Sequence, residues 1–363
     1  MLKNITPEKA IAFTRYSVAL TCCWPLFSHV TMFQLIRFRI SRSAVLLNAF
    51  LLFLPLIYSL YINYNDHVGF SKAICLFLAV SQVLLNTFVC IVQQDRFWEL
   101  IVEMKKCCKD AKTYERQVYQ TYVDKYSTFY GASAIWFYLT ASIIAIGTLF
   151  IPQPLPTNAE YPFPVDYQPL KSILFLHQWF FLYQCSAHVC INMLCALLML
   201  FAAARFEILK VELREVKCST ELIDCVKKYY IARRYAKKVL SASRFIALNT
   251  VMLCGTRQPS TVIIQFMSLA GTALMEVFMV AWPADHLLDL SENSMRGIYE
   301  SRWYLQSTSM QKDMLIMLLP QAPVVIKIVY IIPTLSLSYF CSFVSNVLSL
   351  FTVLRATIQK DDV

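Results

Sequence analysis

Five stretches without a charged side chain constrain this chain more than any other feature: Ser43–Asn65, Ala73–Gln94, Tyr126–Ala159, Ile173–Ala204 and Ile328–Leu354. Each reaches or exceeds the roughly 20 residues that cross a bilayer core as helix, the form in which every backbone N–H and C=O finds a partner without water. A sixth run, Pro259–Ala284, is interrupted only by Glu276, which is tolerable where that carboxylate faces other helices or the membrane boundary. Of 363 residues, 58% are apolar and 15% charged, against about a quarter charged in a soluble globular chain. The expected fold class is all-α: a polytopic membrane helical bundle.

Charge sets the orientation. Six basic residues precede the first run (Lys3, Lys9, Arg15, Arg37, Arg39, Arg42), seven lie between Arg96 and Lys125, and eleven between Arg205 and Arg244. The alternate loops, Asp66–Lys72 and Thr157–Lys171, hold only Lys72 and Lys171. The positive-inside rule therefore predicts a cytoplasmic N-terminus and two large cytoplasmic loops. The net charge of +10 is a topology signal on this reading, since no aromatic platform or binding motif accompanies the basic runs as a nucleic-acid surface requires. No signal peptide is evident, and the Asn4-Ile5-Thr6 sequon falls in the predicted cytoplasmic tail, out of reach of glycosylation. The thirteen cysteines include no CxxC and read as apolar filler.

The loops differ in kind. Arg96–Lys125 mixes basic and acidic residues with Leu100, Met104, Ala111 and Val118 at roughly helical spacing, which predicts a helical cytoplasmic connection. The run Ile173–Ala204 would extend about 48 Å as helix, more than the roughly 30 Å hydrocarbon core, so it tilts or projects out and continues into the charged helical pattern of Glu207–Lys238. Six prolines between Pro152 and Pro169 exclude helix and leave an extended external segment, either a lid over the external mouth or a linker. Met314–Ile326 is too short to span and reads as a buried or interfacial cytoplasmic element.

No Walker A loop, HExxH, GxSxG or nucleotide-binding glycine fingerprint is present, so neither an enzyme nor a cofactor is expected. His177 and His188 stand about 16 Å apart along one helix, too far to share a metal. In the last run Ser338, Ser342, Ser345, Asn346 and Ser349 form one polar stripe at three- and four-residue spacing. Two environments suit such a stripe: a packed helix interface, or a water-filled conduit built from several copies, with Val353 and Thr357 continuing the stripe as a closing ring. Phe77, Ser81, Tyr138, Ser142, Ile146, Trp179, Phe180, Tyr183 and Phe266 lie in the external halves of four spans and offer aromatic faces with a few hydroxyls, suited to a small, mostly apolar ligand. A chain with 14% aromatics also carries such residues by composition alone.

The segment Gly297-Ile298-Tyr299-Glu300-Ser301-Arg302-Trp303-Tyr304 is similar to the "YxSxWY" segment of the insect odorant receptors, and the serine-rich Leu335–Leu354 follows it as in that family. Glu276-Val277-Phe278 resembles the family's "ELF" near the end of span six, and the proline-rich loop follows span three. The resemblance implies a seven-span, odorant-gated, non-selective cation channel subunit in the dendritic plasma membrane of olfactory neurons. It implies assembly with the odorant receptor coreceptor as a tetramer and binding of a small hydrophobic odorant among membrane lipids. It implies a pore lined by Ser338, Ser342, Asn346 and Ser349, with Val353 and Thr357 at the gate, Glu276 near the cytoplasmic end of its helix, and subunit contacts through Met314–Pro323 and the Arg205–Arg244 region.

On this alignment residues 1–42 form the N-terminus and 43–204 spans one to four, with the basic loop at 95–125 and the proline-rich loop at 151–171. Residues 205–258 hold a cytoplasmic helical region and span five, 259–284 span six, 285–327 the anchor, 328–358 the pore helix and 359–363 the tail. Span five departs from the family: only Val239–Thr256 is available, about 27 Å of helix, and it requires Arg244 to reach the cytosolic surface or other helices. Leu319-Pro320-Gln321-Ala322-Pro323 and Trp282-Pro283-Ala284-Asp285-His286-Leu287 also differ from the family's "RSQKP" and "WFGNEL". The alternatives are a non-functional product with a defective fifth span, or a gustatory-type chemoreceptor channel. A G-protein-coupled receptor would carry the opposite charge asymmetry, and a secondary transporter would show internal repeats.

Overall fold

A computed structural model describes residues 5–25, 31–147, 155–157, 159–255, 263–319, 321–327, 333–346 and 349, with the side chains of 67–68, 71–72, 253–255 and 263–270 left aside. The helices are α1 Pro7–Ser17, α2 Met32–Ile62, α3 His67–Val92, α4 Gln94–Asp110, α5 Thr113–Gly147, α6 Leu170–Val189, α7 Ile191–Glu215, α8 Ser219–Gly255, α9 Ile263–Asn293, α10 Arg296–Glu300, α11 Thr308–Met317 and α12 over 337–346. Among the described residues four helical stretches are long and apolar enough to cross a bilayer: Met32–Asn65, Ala73–Val92, Thr113–Gly147 and Leu170–Glu215.

Local sequence sets where these helices begin and break. Thr31 and Gln34 close a reciprocal capping box at the start of α2, each side chain accepting from the other's backbone N–H. The chain bends at Gln93, where the apolar run of α3 gives way to the charged, amphipathic α4, so the basic connection is helical as its spacing predicts. The long fourth run is broken at Cys190 into α6 and α7. Residues 155–157 and 159–169 hold no helix, in keeping with their prolines. This segment nevertheless packs: the Thr157 N–H donates to Gln178 Oε1 at 2.9 Å, Gln178 Nε2 donates to the Tyr161 hydroxyl at 3.1 Å, and Leu155 and Ala159 are buried.

At the centre stands α7, which is buried on every side and packs on α5, α8, α9 and α10. Lipid is as apolar as leucine, so close approach rather than hydrophobicity has to hold these helices together. Small residues supply it. Ala202, Ala203 and Ala204 of α7 meet a bundle in which Ala236, Ala242 and Ala247 of α8 and Ala273, Ala281 and Ala284 of α9 are buried too.

Helix α8 runs unbroken through Arg244. Val239, Ala242, Ser243, Ile246, Ala247 and Thr250 are buried on one face, whereas Arg244 and Phe245 are exposed on the other. Its depth follows from a hydrogen bond: Asn249 Nδ2 donates to Asn86 Oδ1 at 2.9 Å, and Asn86 lies about 9 Å along α3 from the Val92 end. Gly255 is about 9 Å further up α8, so the described helix climbs about 18 Å past the level of Val92 against a core of roughly 30 Å. The shortened span reaches about mid-bilayer in the described residues. Residues 256–262, which follow, lie outside them.

Ion pairs lace the basic end. Arg205 binds Glu103 at 2.7 Å and stacks over Phe201 and Tyr235, Lys238 binds Glu99 at 2.9 Å, and Lys210 and Arg214 of α7 both hold Glu300 of α10. The Arg214 hydrogen bond comes first among the causes that hold the Glu300 carboxyl below its ordinary range. A depressed carboxylate contributes stability above its unfolded pKa and loses it as pH falls through the folded value. The Glu300→Gln variant is therefore expected to melt below wild type at neutral pH and to draw level with it in acid, once the pH has fallen below the lowered value at which the wild-type carboxyl is itself protonated. Thermal unfolding of the solubilised protein at both pH values checks this; a gap that persists in acid would assign the effect to packing.

Candidate functional site

Four of the nine candidate ligand residues form one continuous cluster between α5 and α6. Trp179 meets Tyr183 edge to face at 5.8 Å between ring centroids. The Tyr183 hydroxyl shares a 3.0 Å hydrogen bond with Ser142 Oγ, which also donates to the Tyr138 carbonyl one turn earlier. The Tyr138 hydroxyl in turn donates to the Ser17 carbonyl at 2.9 Å. The Trp179 indole N–H is buried and has no hydrogen-bond acceptor among the described residues, a donor held ready beside the aromatic rings.

Phe77 and Ser81 stand apart, on the α2–α3 seam. Phe77 stacks on Phe53 at 4.8 Å and packs beside Phe181, while Ser81 donates to the Phe77 carbonyl. Ile146 and Phe180 correct the sequence expectation: they are 49% and 44% exposed and share outward faces with Ile143 and with Ile173 and Leu176. An apolar residue facing lipid is indistinguishable in sequence from one facing a cavity. The Phe266 side chain lies outside the described residues.

Directly below the cluster is a buried polar ladder that the sequence reading missed. Gln82 Nε2 donates to Glu276 Oε2 at 2.8 Å, tying α3 to α9. One turn on, Asn86 Nδ2 lies 3.1 Å from His188 Nε2 of α6 and Asn86 Oδ1 accepts from Asn249 of α8. Thr250 Oγ1 donates to Asn192 Oδ1 of α7 at 3.3 Å. Glu276, Gln82, Asn86, His188, Asn192 and Thr250 are all at most 3% exposed. In lipid, polar groups on neighbouring helices satisfy one another because nothing else is present to do so. The signal was available: Gln82 and Asn86 lie four residues apart in an otherwise apolar span.

Glu276 itself corrects an expectation, since it stands in the middle of α9 rather than near its end. The helix passes through Pro283 and continues to Asn293. His177 and His188 have separate partners, the Asn48 carbonyl and Asn86, as their separation along the helix predicts.

The last helix presents two faces. Tyr339, Phe340 and Phe343 pack on the main core, with Phe340 against Phe278 of α9 at 5.2 Å. Ser338, Ser342, Ser345, Asn346 and Ser349 are exposed on the opposite side, and Ser342 Oγ donates back to the Ser338 carbonyl. Val353 and Thr357 lie outside the described residues. In the anchor segment Met310, Met314, Val324 and Ile326 are buried, while Leu315, Ile316 and Leu319 are 49%, 62% and 60% exposed.

The molecule is thus a polytopic helical membrane protein, its aromatic cluster seated over a buried polar centre and its last helix turning a polar stripe outward. The chain belongs to the 7tm Odorant receptor family, whose model matches residues 66–348. In fold it is similar to the insect olfactory receptor OR5 from Machilis hrabei, with a TM-score of 0.79 at 15% identity over 96% of this chain and 97% of that one. The same receptor in complex with eugenol gives 0.77 at 14% identity over 97% and 99%. No curated protein matches the chain.

Proposed function

We propose that this chain is the ligand-binding subunit of a heteromeric, odorant-gated, non-selective cation channel in the plasma membrane of olfactory neurons, with its basic end in the cytosol and the odorant receptor coreceptor as companion. The observation that carries this reading is the two-faced last helix, whose aromatic side is occupied by its own chain and whose polar side is left for other copies. The exposed Leu315, Ile316 and Leu319 supply a second surface for subunit contact at the basic end.

The ligand is a small, mostly apolar molecule, in line with the eugenol complex of the similar receptor. Trp179, Tyr183, Ser142 and Tyr138 would hold it, with Phe77 and Ser81 on the facing seam. Binding favours the open arrangement to the extent that affinity for it exceeds affinity for the closed one. The ladder from His188 through Asn86 and Gln82 to Glu276, then the Phe278–Phe340 contact, joins that cluster to the last helix. Val353 and Thr357 close the water path on this reading.

Whole-cell current tests it. Cells expressing both this chain and the coreceptor are expected to pass an odorant-evoked cation current that neither chain with this ligand selectivity supports alone, and Val353→Ser is expected to raise the resting current. Silence with a coreceptor proven in the same cells would favour the second reading, a non-conducting product. The fourteen residues between Arg244 and Pro259, few for a fifth crossing, are the observation behind it.

A further inference from the structure

We infer that the chain holds one acyl chain of a membrane phospholipid in a groove beneath α1, in the leaflet at the basic end. A cavity of about 470 Å³ lies between α1, α4, α5 and α7, within the roughly 300–1,000 Å³ of ligand cavities. Its walls are almost wholly apolar: Ile11 of α1, Met104 of α4, Tyr130 of α5, and Leu200 and Phe201 of α7. It shares no residue with the Trp179–Tyr183 cluster, which touches only the far end of α1 through the Tyr138–Ser17 hydrogen bond.

Depth identifies the occupant. On α7 the lining runs from Met193, beside the ladder residue Asn192, to Ala204, beside the Arg205 that pairs with Glu103 at the basic end. Eleven residues of helix cover about 16 Å, close to half of the roughly 30 Å hydrocarbon core. Asn192 bonds Thr250, one residue past the Asn249 that stands level with Asn86, about 9 Å inside the Val92 end. The α7 lining therefore starts about 9 Å inside that level and ends about 7 Å beyond it, crossing from the headgroup layer into the hydrocarbon of this leaflet.

Its mouth opens sideways, at Ile135 and Phe13, which are 66% and 42% exposed, where lipid tails stand. At the charged end Lys9 joins the lining, at the level a phosphate headgroup occupies. Gly131 is the vacancy in the wall: a Cβ built there meets nothing within 4 Å. Apolar room that runs from the headgroup layer into the hydrocarbon, a lateral mouth and a cation at the headgroup end together fit a phospholipid tail better than a water-borne odorant, which would have to cross the lipid to enter.

The test uses the full chain in nanodiscs of phosphatidylcholine doped with a phosphatidylcholine that carries a diazirine on one acyl chain, irradiated and mapped by mass spectrometry. Adducts concentrated on 5–14 and 119–135 are expected, falling about tenfold in Gly131→Trp, a factor worth about 1.4 kcal/mol, with adducts on the outward face of α2 unchanged. Adducts spread evenly over all outward faces of the wild-type chain would overturn the proposal without recourse to the variant. So would adducts on the groove that excess eugenol removes and excess phosphatidylcholine does not, since the site would then belong to a soluble small molecule.

Discussion

Replacing Glu276 with leucine is expected to lower the thermal stability of the solubilised receptor and its delivery to the cell surface, while glutamine at the same position keeps most of both. The carboxylate is 1% exposed and accepts from Gln82, itself 3% exposed. Leucine removes the carboxylate that Gln82 Nε2 binds, and losing a buried hydrogen bond to a charged group costs about 1.5–3 kcal/mol. Glutamine retains an acceptor oxygen at nearly the same place. Because Gln82 precedes by one turn the Asn86 that joins α6 and α8, the leucine variant is also expected to lose odorant-evoked current in excess of its loss of surface protein. Equal melting temperatures for leucine variant and wild type would show that the ladder contributes nothing to the bundle.

The second large effect is expected at Gly297, and it should grow with side-chain size from alanine to valine. A Cβ at this position would stand 2.5 Å from the Lys210 carbonyl oxygen and 3.2 Å from Leu213 Cβ. The obstacle is backbone of α7, held in its own helical hydrogen bonds, which yields less readily than the end of a flexible side chain. Overpacking of this kind costs about 1–3 kcal/mol and here would push α10 off α7, separating Glu300 from Lys210 and Arg214. Gly131→Ala is the matched control, since its Cβ meets nothing within 4 Å. Melting temperatures in the order Gly131→Ala, Gly297→Ala, Gly297→Val are the expected series; an unaffected Gly297→Val would mean that α7 and α10 part without cost.

The membrane character, the helical layer at the basic end and the family were legible because hydrocarbon tolerates so few solutions. A run such as Ala73–Gln94 has to span or be wholly buried, and Arg96–Lys125 states its helical period openly. Helix α8 was harder to read. A window that counts charge stops at Arg244, but the fold asks only that Val239, Ser243, Ile246 and Thr250 share a buried face, and Arg244 lies on the other. The ladder was hidden for the opposite reason: Gln82, Asn86 and Asn192 carry no charge and passed as ordinary span residues. Ile146 and Phe180 were assigned to the ligand cluster because apolar character does not tell lipid from cavity. The groove beneath α1 joins residues more than a hundred positions apart and leaves no local pattern.

The exposed serines of the last helix also bear on how much of this protein a cell can use. A lone copy would hold Ser338, Ser342 and Asn346 against hydrocarbon, with the Ser342 hydroxyl turned back on its own helix. On the proposed assembly, companions that cover this face relieve that burden, so the companion supply, not the rate at which this chain is made, sets the ceiling on mature complexes. Overproducing the chain by itself would then fill the secretory pathway with surplus and add nothing to the odorant response.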